Sequence, residues 1–214
     1  MTTITSDHDR EGVIQFRLEH TETALGETSS LPPLIAWHAI MYRLGIIGRD
    51  PLRYEGYAFG NMSQRMEADR FIISGTQTGG IEHLGDEHYA QVEHCDVSAN
   101  SVRSSGPVKP SSECMTHAAI YAASIQAGAV VHVHSPAIWQ RWQQLGISTT
   151  AKDIAYGTPA MAAAVVGCIT QADSLTHGSI AMLGHEDGVL TYASDLETAG
   201  LEMVRLLSRA LALM

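Results

Sequence analysis

Residues 127–136 read AGAVVHVHSP and place two histidines, His132 and His134, one residue apart within an apolar run. The run is short, rich in β-branched residues and bounded by a glycine and a proline, which predicts a buried β-strand. Successive side chains of a strand point to opposite faces, so the two histidines share one face and the neighbouring valines share the other. Two imidazoles inside a hydrophobic strand cost free energy unless their ring nitrogens are satisfied.

Two interpretations of this histidine pair stay open on the spacing alone. A His-x-His strand can present two ligands to one metal ion, which would satisfy both imidazoles. Alternatively, the pair is hydrogen-bonded to backbone groups or exposed at the end of the strand. Short motifs of this kind also arise by chance, so the choice depends on the rest of the chain.

The composition restricts the class of protein. A chain of 214 residues is long enough for one domain with a sizeable core but too short for two domains of ordinary size. Its hydrophobic fraction of 45% and charged fraction of 17% are those of an ordinary globular protein. The net charge of −10 argues against nucleic acid or an anionic membrane as a partner. No apolar stretch is long enough to span a bilayer, and the polar start MTTITSDHDREG is not typical of a signal peptide.

The numbers of cysteines and lysines restrict the kinds of cross-link, metal site and reaction mechanism that the chain could use. Cys95, Cys114 and Cys168 are odd in number and lack C-x-x-C spacing, which favours neither a disulfide framework nor a thiolate zinc site. A reducing, cytoplasmic location is therefore expected. Lys109 and Lys152 are the only lysines in the sequence, and a Schiff-base mechanism would need a buried one. A Schiff-base mechanism is therefore disfavoured.

Strand and helix patterns alternate along the chain without internal repeats or linkers, which predicts a single α/β domain. We expect residues 1–30 to form a partly ordered N-terminal extension and residues 31–214 to form the domain. Strands are predicted within 12–20, 54–65, 71–80, 81–97, 127–136 and 179–193. Helices are predicted after Pro33, from near Ser112, after Pro159 and over the periodic C-terminal segment 196–214.

A third histidine, His185, lies in MLGHEDGVL, on a glycine-flanked turn directly after an apolar run. Taken alone it is most simply a surface turn residue. Together with His132 and His134 it would supply three nitrogen ligands and leave one coordination position open, as in catalytic zinc sites. Three imidazoles without a thiolate suit Zn²⁺, although geometry would have to exclude Co²⁺, Mn²⁺ or Ni²⁺.

Glu113 lies at the start of the predicted helix that leads into the His-x-His strand. The positive end of a helix stabilises a carboxylate, so one interpretation is a plain N-terminal helix acid. The other is a general acid/base, or a labile fourth ligand, held close to a cation. His117, one helical turn later, is interpreted as a hydrogen-bonded residue of the core or of the surroundings of the site.

Three junctions between elements are rich in small donors. Backbone amides at glycine turns and at a helix N-terminus bind phosphate without cationic side chains, which reconciles an acidic protein with an anionic substrate. None of the junctions matches a P-loop or a dinucleotide fingerprint, and each alone is more often a plain turn. They are FGNMS around Asn61, ISGTQTGG around Ser74 and Gly75, and PSSE with Ser111 and Ser112.

Several motifs, in this order, resemble those of the class II aldolase/adducin family: GNMS (60–63), SGT (74–76), PSSE (110–113), VHVHSP (131–136) and GHEDGVL (184–190). The resemblance covers about residues 34–205. The family includes L-fuculose-phosphate and L-rhamnulose-phosphate aldolases, L-ribulose-5-phosphate 4-epimerase and methylthioribulose-phosphate dehydratase. The resemblance implies a three-layer αβα fold with a mainly antiparallel central sheet, assembled as a homotetramer with active sites between subunits.

The resemblance also implies roles for individual residues. The metal ligands for Zn²⁺, or another divalent transition metal, would be His132, His134 and His185. Glu113 would be the catalytic acid/base, and Asp153, in a stretch similar to one of the epimerase, would act on the active site of a neighbouring subunit. For Tyr156, close to Asp153, a buried structural role is favoured over the alternative that it reaches a neighbouring active site. Phosphate contacts would come from Asn61, Ser74, Gly75, Ser111 and Ser112.

The expected function is that of a metal-dependent aldehyde-lyase acting on a small sugar phosphate. A phosphorylated ketose would be cleaved by a retro-aldol reaction through a metal-chelated enediolate. A sugar-phosphate 4-epimerase or a dehydratase on the same scaffold is an alternative, because the chain combines an aldolase-like Glu113 with an epimerase-like Asp153. A non-catalytic, adducin-like interaction domain is a further alternative. It would be expected to lose the metal ligands, which this sequence keeps.

Overall fold

The computed structural model describes residues 13–26, 28, 30–67, 69–172 and 175–214. Its strands are β1 (Arg17–Glu22), β2 (Gly48–Arg49), β3 (Ala58–Phe59), β4 (Asn61–Arg65), β5 (Phe71–Ser74), β6 (Tyr89–Asp96), β7 (Ser101–Gly106), β8 (Ala129–His134), β9 (Ser148–Thr149), β10 (Gly178–Ala181) and β11 (Gly188–Ala193). Its α-helices are α1 (Leu31–Arg43), α2 (Cys114–Ala123), α3 (Pro136–Trp139), α4 (Trp142–Leu145), α5 (Pro159–Gln171) and α6 (Leu196–Leu211).

Nine of these strands form one central sheet in the order β1-β7-β6-β5-β4-β8-β11-β10-β9, whereas β2 and β3 pair separately. The β1–β7 and β9–β10 pairs are parallel, and the other pairs of the large sheet are antiparallel. The predicted mainly antiparallel sheet is therefore confirmed. The His-x-His strand β8 lies inside it, between β4 and β11, and is buried along its whole length.

Helices cover both faces of the sheet, which confirms the predicted three-layer αβα fold. The alternation along β8 shows the arrangement, because Val130 packs with α2 and α5 on one face. Val131 and Val133 pack with α1 and α6 on the other face. Burying a valine fully stabilises the fold by about 1.5–3 kcal/mol, so this register is strongly specified. His132 consequently faces the layer that contains α2.

The predicted strand over 54–65 is interrupted in the structure. A single 3₁₀ turn covers Tyr54–Gly56, and the strands β3 and β4 follow on either side of Gly60. Gly60 has a φ of +80°, and a Cβ there would lie 2.6 Å from Cγ1 of Ile47. Glycine is therefore required for the chain to bend from β3 into β4.

The helical predictions differ from the structure mainly at the ends. Helix α1 already begins at Leu31, because both prolines are tolerated within its first turn. The short helices α3 and α4 were not predicted. The sequence signal for α3 is Ser135 before Pro136, since Oγ of Ser135 accepts a hydrogen bond from the amide of Ile138.

The N-terminal region is only partly described. Residues 17–22 form β1, which pairs with β7 at one end of the central sheet. Residues 1–12 of the predicted extension lie outside the described residues, and the proposed domain boundary at residue 31 stays a prediction. Among the described residues, no helix combines the length and the apolar character that crossing a membrane would require.

Candidate metal centre

The structure brings the three predicted histidines together. His132 and His134 lie on β8, and His185 lies in the turn between β10 and β11. One ligand nitrogen of each ring lies within 4.8 Å of those of the other two rings, and all three side chains are buried. The ring centroids are 4.6–5.2 Å apart. Within the described part of the chain, no other group of three His, Cys, Asp or Glu side chains converges in this way.

Sheet pairing and a tight turn position His185. Strand β11 pairs with β8 so that Gly188 lies opposite His134, which places the preceding turn beside that histidine. The turn is closed by hydrogen bonds from the amide of His185 to the carbonyl of Met182 and from the amide of Gly188 to the carbonyl of His185. A Cβ at Gly184 would lie 1.9 Å from the carbonyl oxygen of Ile154, so only glycine fits there.

The electrostatics of the site favour neutral imidazoles. Burial, the largest cause, lowers the pKa of both His132 and His134 well below the ordinary value, and the nearby ring of His185 lowers both further. A neutral imidazole keeps a lone pair, which is the form that binds a metal. Three converging neutral nitrogen donors without a thiolate fit Zn²⁺ or a similar divalent transition metal.

Glu113 lies at the N-cap of α2 and is buried, with only 1% of its surface exposed. Its Oε2 accepts a hydrogen bond from the hydroxyl of Thr116 at 3.2 Å, and its amide donates to Oγ of Ser111 at 3.2 Å. One helical turn later, His117 contacts Ser63 of β4, the strand next to β8. Residues four apart share a helix face, so Glu113 lies on the face of α2 that is turned toward the sheet.

His117 belongs to a buried hydrogen-bonded group, as predicted. Its Nδ1 lies 2.7 Å from Oγ of Ser63, which in turn lies 2.7 Å from the hydroxyl of Tyr121. Burial lowers the pKa of His117 to about 3, so this imidazole is neutral at physiological pH. The group ties α2 to β4, the strand that pairs with the His-x-His strand.

Four of the five predicted phosphate-binding residues line one small polar cavity, namely Asn61, Gly75, Ser111 and Ser112. Asn61 lies opposite His132 in the β4–β8 register, so this cavity adjoins the imidazole trio. Ser74 does not line the cavity, because its Oγ accepts a hydrogen bond from the amide of Met62 at 3.1 Å. The carbonyl of Ser74 accepts the amide of Ser111, which holds the PSSE stretch beside β5.

A second cavity, of about 320 Å³, lies on the His185 side of the trio. Tyr156 lines it and stacks on His185 with ring centroids 4.3 Å apart and an interplanar angle of 16°. Tyr156 is thus buried, as predicted, but it contacts the candidate centre of its own chain. Asp153 is exposed and is not among the residues that line this cavity, so its action on a neighbouring subunit stays a prediction.

Sequence reasoning missed three residues beside the trio. The ring of Tyr54 meets His134 edge-on, with centroids 4.6 Å apart, and its hydroxyl donates to Oδ2 of Asp187 at 2.7 Å. Nη2 of Arg53 donates to the same oxygen at 3.0 Å. Burial and the bond to Asp187 raise the pKa of Tyr54 above its ordinary value, so the phenol stays protonated. The acids of the GHEDG turn were visible in the sequence, but a partner 133 residues away was not.

The family follows from this fold and from the sequence. A sequence model of the class II aldolase and adducin N-terminal domain matches residues 52–212. The chain therefore belongs to the class II aldolase/adducin family. A search of curated protein sequences finds no match.

Solved structures of similar fold include L-fuculose-1-phosphate aldolase from Thermus thermophilus, with a TM-score of 0.61, 18% identity, and 85% of this chain and 91% of that chain covered. A sugar-phosphate aldolase from Thermotoga maritima has a TM-score of 0.63 at 14% identity. This match covers 83% of this chain and 90% of that chain. YgbL from Klebsiella pneumoniae has a TM-score of 0.61 at 16% identity, and the match covers 84% of this chain and 85% of that chain. Its description leaves open whether it is an aldolase, an epimerase or a decarboxylase. At these identities the likeness establishes the fold.

Proposed function

We propose that this chain is a metal-dependent lyase of the class II aldolase type, which cleaves a phosphorylated ketose by a retro-aldol reaction. The observation that carries the proposal is the convergence of three buried imidazoles within 4.8 Å. The buried carboxylate of Glu113, at the start of the helix that covers the same face of the sheet as His132, supports it. Membership of the family supports it, as do structural neighbours described as L-fuculose-1-phosphate aldolase and sugar-phosphate aldolase.

The two cavities suggest how such a substrate would lie. The polar cavity with Asn61, Ser111 and Ser112 offers amide and hydroxyl donors, which suit a phosphate group. The cavity beside His185 would take the opposite end of the sugar. Glu55 and Glu186 are exposed at that cavity, and their charge disfavours a second anionic group there. The expected substrate is a monophosphate whose other end is uncharged.

The chemistry requires one electrophile and one proton carrier. His132, His134 and His185 would hold a divalent cation, which would supply Lewis-acid polarisation of the substrate carbonyl and its neighbouring hydroxyl. Glu113 is proposed to take up the proton that the hydroxyl of the departing carbon loses as the carbon–carbon bond breaks, and to deliver it to the carbon that loses the aldehyde fragment. Both transfers are reversed in the direction of synthesis. The cavity donors fix the phosphate, so that the reacting carbon meets Glu113 without an orientational search.

One observation favours a second candidate, a 4-epimerase on the same scaffold. Asp153 is exposed, and it lies only three residues before Tyr156, which contacts His185. An exposed acid in this segment is available to the active site of a neighbouring subunit in the proposed homotetramer. A second acid/base on the opposite side of the substrate would allow the aldehyde fragment to be added back with inverted configuration. The homotetramer, the cytoplasmic location and Zn²⁺ as the native metal are proposed for the lyase and the epimerase alike.

A substrate screen separates the two candidates. Zinc-loaded protein is incubated with phosphorylated ketoses, and release of dihydroxyacetone phosphate is followed through NADH oxidation by glycerol-3-phosphate dehydrogenase. Triose release that the His134→Ala variant lacks would support the lyase. Conversion of a pentulose phosphate to its epimer without triose release would replace the lyase by the epimerase. Absence of bound metal in protein loaded with excess Zn²⁺ would contradict both.

A further inference from the structure

The trio is partly enclosed by a group of residues that the proposed reaction does not use. We infer that Arg53, Tyr54 and Asp187, here called the outer cluster, are positioning residues that fix the orientation and the charge environment of His134 and His185 for a bound cation. This inference rests on the proposed function, since it presupposes that the trio binds a divalent metal.

The first support is the connection that the outer cluster makes between two distant segments. Asp187 lies two residues after His185 in the same turn, and its Oδ2 accepts bonds from the Tyr54 hydroxyl at 2.7 Å and from Arg53 at 3.0 Å. Arg53 also donates to the hydroxyl of Tyr54. The carbonyl of Asp187 accepts the amide of Ser135, the residue that follows His134. The turn is thereby held to both segments around the trio.

The second support is the packing around one ligand ring. His134 meets Tyr54 edge-on at 73° and lies against Phe59, with centroids 5.4 Å apart and an interplanar angle of 41°. Tyr54 and Phe59 themselves form an edge-to-face pair at 5.0 Å. These contacts restrict rotation of the His134 ring, because a rotated ring would collide with one of the two aromatic neighbours. A ligand held in this way loses little freedom when a cation binds.

The third support is the backbone of the two segments. Tyr54, Glu55 and Asp187 have φ values of 49°, 55° and 60°, in the left-handed region that residues with a Cβ disfavour. Backbone strain of this kind persists where surrounding contacts over-determine it and is concentrated at functional sites. Here the strained residues of both segments are those that bring the phenol and the carboxylate together.

The fourth support is charge. The guanidinium of Arg53 lies 4.7 Å from the ring centroid of Tyr54 and 5.7 Å from that of Phe59, the two rings that contact His134, and it would repel a divalent cation bound there. The Asp187 carboxylate, 3.0 Å from Arg53, cancels that charge. This pair is shielded from solvent, with side-chain exposures of 33% for Arg53 and 10% for Asp187. The Arg43–Glu82 pair, exposed at 63% and 37%, provides a matched surface pair for comparison.

The test measures Zn²⁺ affinity by competition with a chromophoric chelator, using full-length protein. Asp187→Asn removes the neutralising charge and leaves a single, uncharged acceptor oxygen for the two donors, and should weaken Zn²⁺ binding about 10- to 100-fold. Tyr54→Phe keeps the ring against His134 and removes only the hydroxyl, so a smaller loss of about 3- to 10-fold is expected. Glu82→Gln removes the negative charge of the surface pair and should leave the affinity unchanged.

A double variant tests whether the two residues act through their shared bond. Tyr54→Phe combined with Asp187→Asn should bind Zn²⁺ about as weakly as Asp187→Asn alone, because the hydroxyl has lost its charged acceptor already. Adding Arg53→Met to Asp187→Asn should restore part of the affinity, since the uncancelled cation is gone. The melting temperatures of the metal-free variants are measured as well, and the affinities are compared at a temperature well below all of them, which separates positioning from general stability.

The outcomes are distinct. If both single variants bind Zn²⁺ within about twofold of the wild type, well short of the losses expected for residues that orient a ligand, the outer cluster does not position the ligands. Losses that simply multiply in the double variant would also overturn the inference, because the residues would then act independently. If the wild type itself binds no Zn²⁺, the proposed function fails first, and this result is distinguishable from the other two.

Discussion

The two cavities on either side of the imidazole trio are built differently. The polar cavity at Asn61, Ser111 and Ser112 is lined by neutral groups at the ends of strands and at the start of α2. The cavity beside His185 is lined by aromatic and acidic side chains from irregular segments. Under the proposed function, the first would hold an anion through fixed dipoles, whereas the second places acidic groups close to the imidazole trio. The proposal thus assigns anion binding and cation binding to different parts of the scaffold.

The trio that joins the two regions should be the most sensitive part of the molecule. His134→Ala removes one of three ligands, and both bound metal and turnover should be lost, the latter by more than about a thousandfold. Metal analysis of the loaded protein and the triose-release assay measure the two losses. His83→Ala, at a histidine whose side chain is 69% exposed, serves as the control and should change neither. A His134→Ala variant that retains metal would contradict the assignment of His134 as a metal ligand.

Glu113 should affect the chemistry without affecting the cation. Glu113→Gln keeps the size of the side chain but removes its basicity, and kcat should fall about 10²- to 10⁴-fold with the metal retained. Turnover and metal content are measured on the same sample. Full activity of this variant would refute the assigned acid/base role. Loss of metal together with turnover would instead identify Glu113 as a ligand.

Acid should destabilise the metal-free protein through its buried imidazoles. Burial lowers the pKa of His117 from 6.5 to about 3, so the unfolded chain binds this proton first as the pH falls. The contribution to stability is present above pH 6.5 and is lost between about pH 6.5 and 3. The slope for this group is up to about 1.4 kcal/mol per pH unit. Urea unfolding at a series of pH values from mildly alkaline to mildly acidic measures it.

His117→Gln is the matched variant for this measurement. It should reduce the pH dependence of the unfolding free energy by up to about one proton, because a residue that cannot titrate replaces the buried imidazole. An unchanged slope would mean that His117 does not stay neutral on folding.

The smallest effect is expected in the polar cavity. Ser112→Ala removes one hydroxyl donor and should raise KM for a phosphorylated substrate about 5- to 15-fold, corresponding to about 1–1.5 kcal/mol. KM for the unphosphorylated sugar should not change. Ser74→Ala is the contrasting variant, since its hydroxyl is bound to the backbone, and it should lower stability rather than affinity. Equal KM effects of the two variants on both sugars would contradict the assignment of this cavity.

The sequence predicts this site where its signals are local. The period-two pattern of β8 indicated the shared face of His132 and His134, and the ordered motifs indicated that His185 would join them. The structure shows that Ser74 turns its hydroxyl to the backbone of Met62, which no pattern of small residues could reveal.

What could not be predicted depends on long-range geometry. The bond between Tyr54 and Asp187 joins residues 133 positions apart, and both adopt left-handed backbone conformations, which are uncommon for residues with a Cβ. The interruption of the strand at Gly60 likewise depends on the close approach of Ile47. Such features are decided by tertiary packing, so local propensity does not reveal them.

Anomalous diffraction from a crystal soaked in Zn²⁺ is the most direct test of the three-histidine metal site. We predict one strong anomalous peak, with ring nitrogens of His132, His134 and His185 about 2.0–2.1 Å from it. A crystal whose three rings surround no peak, or in which the ion binds elsewhere with those rings turned apart, would contradict it.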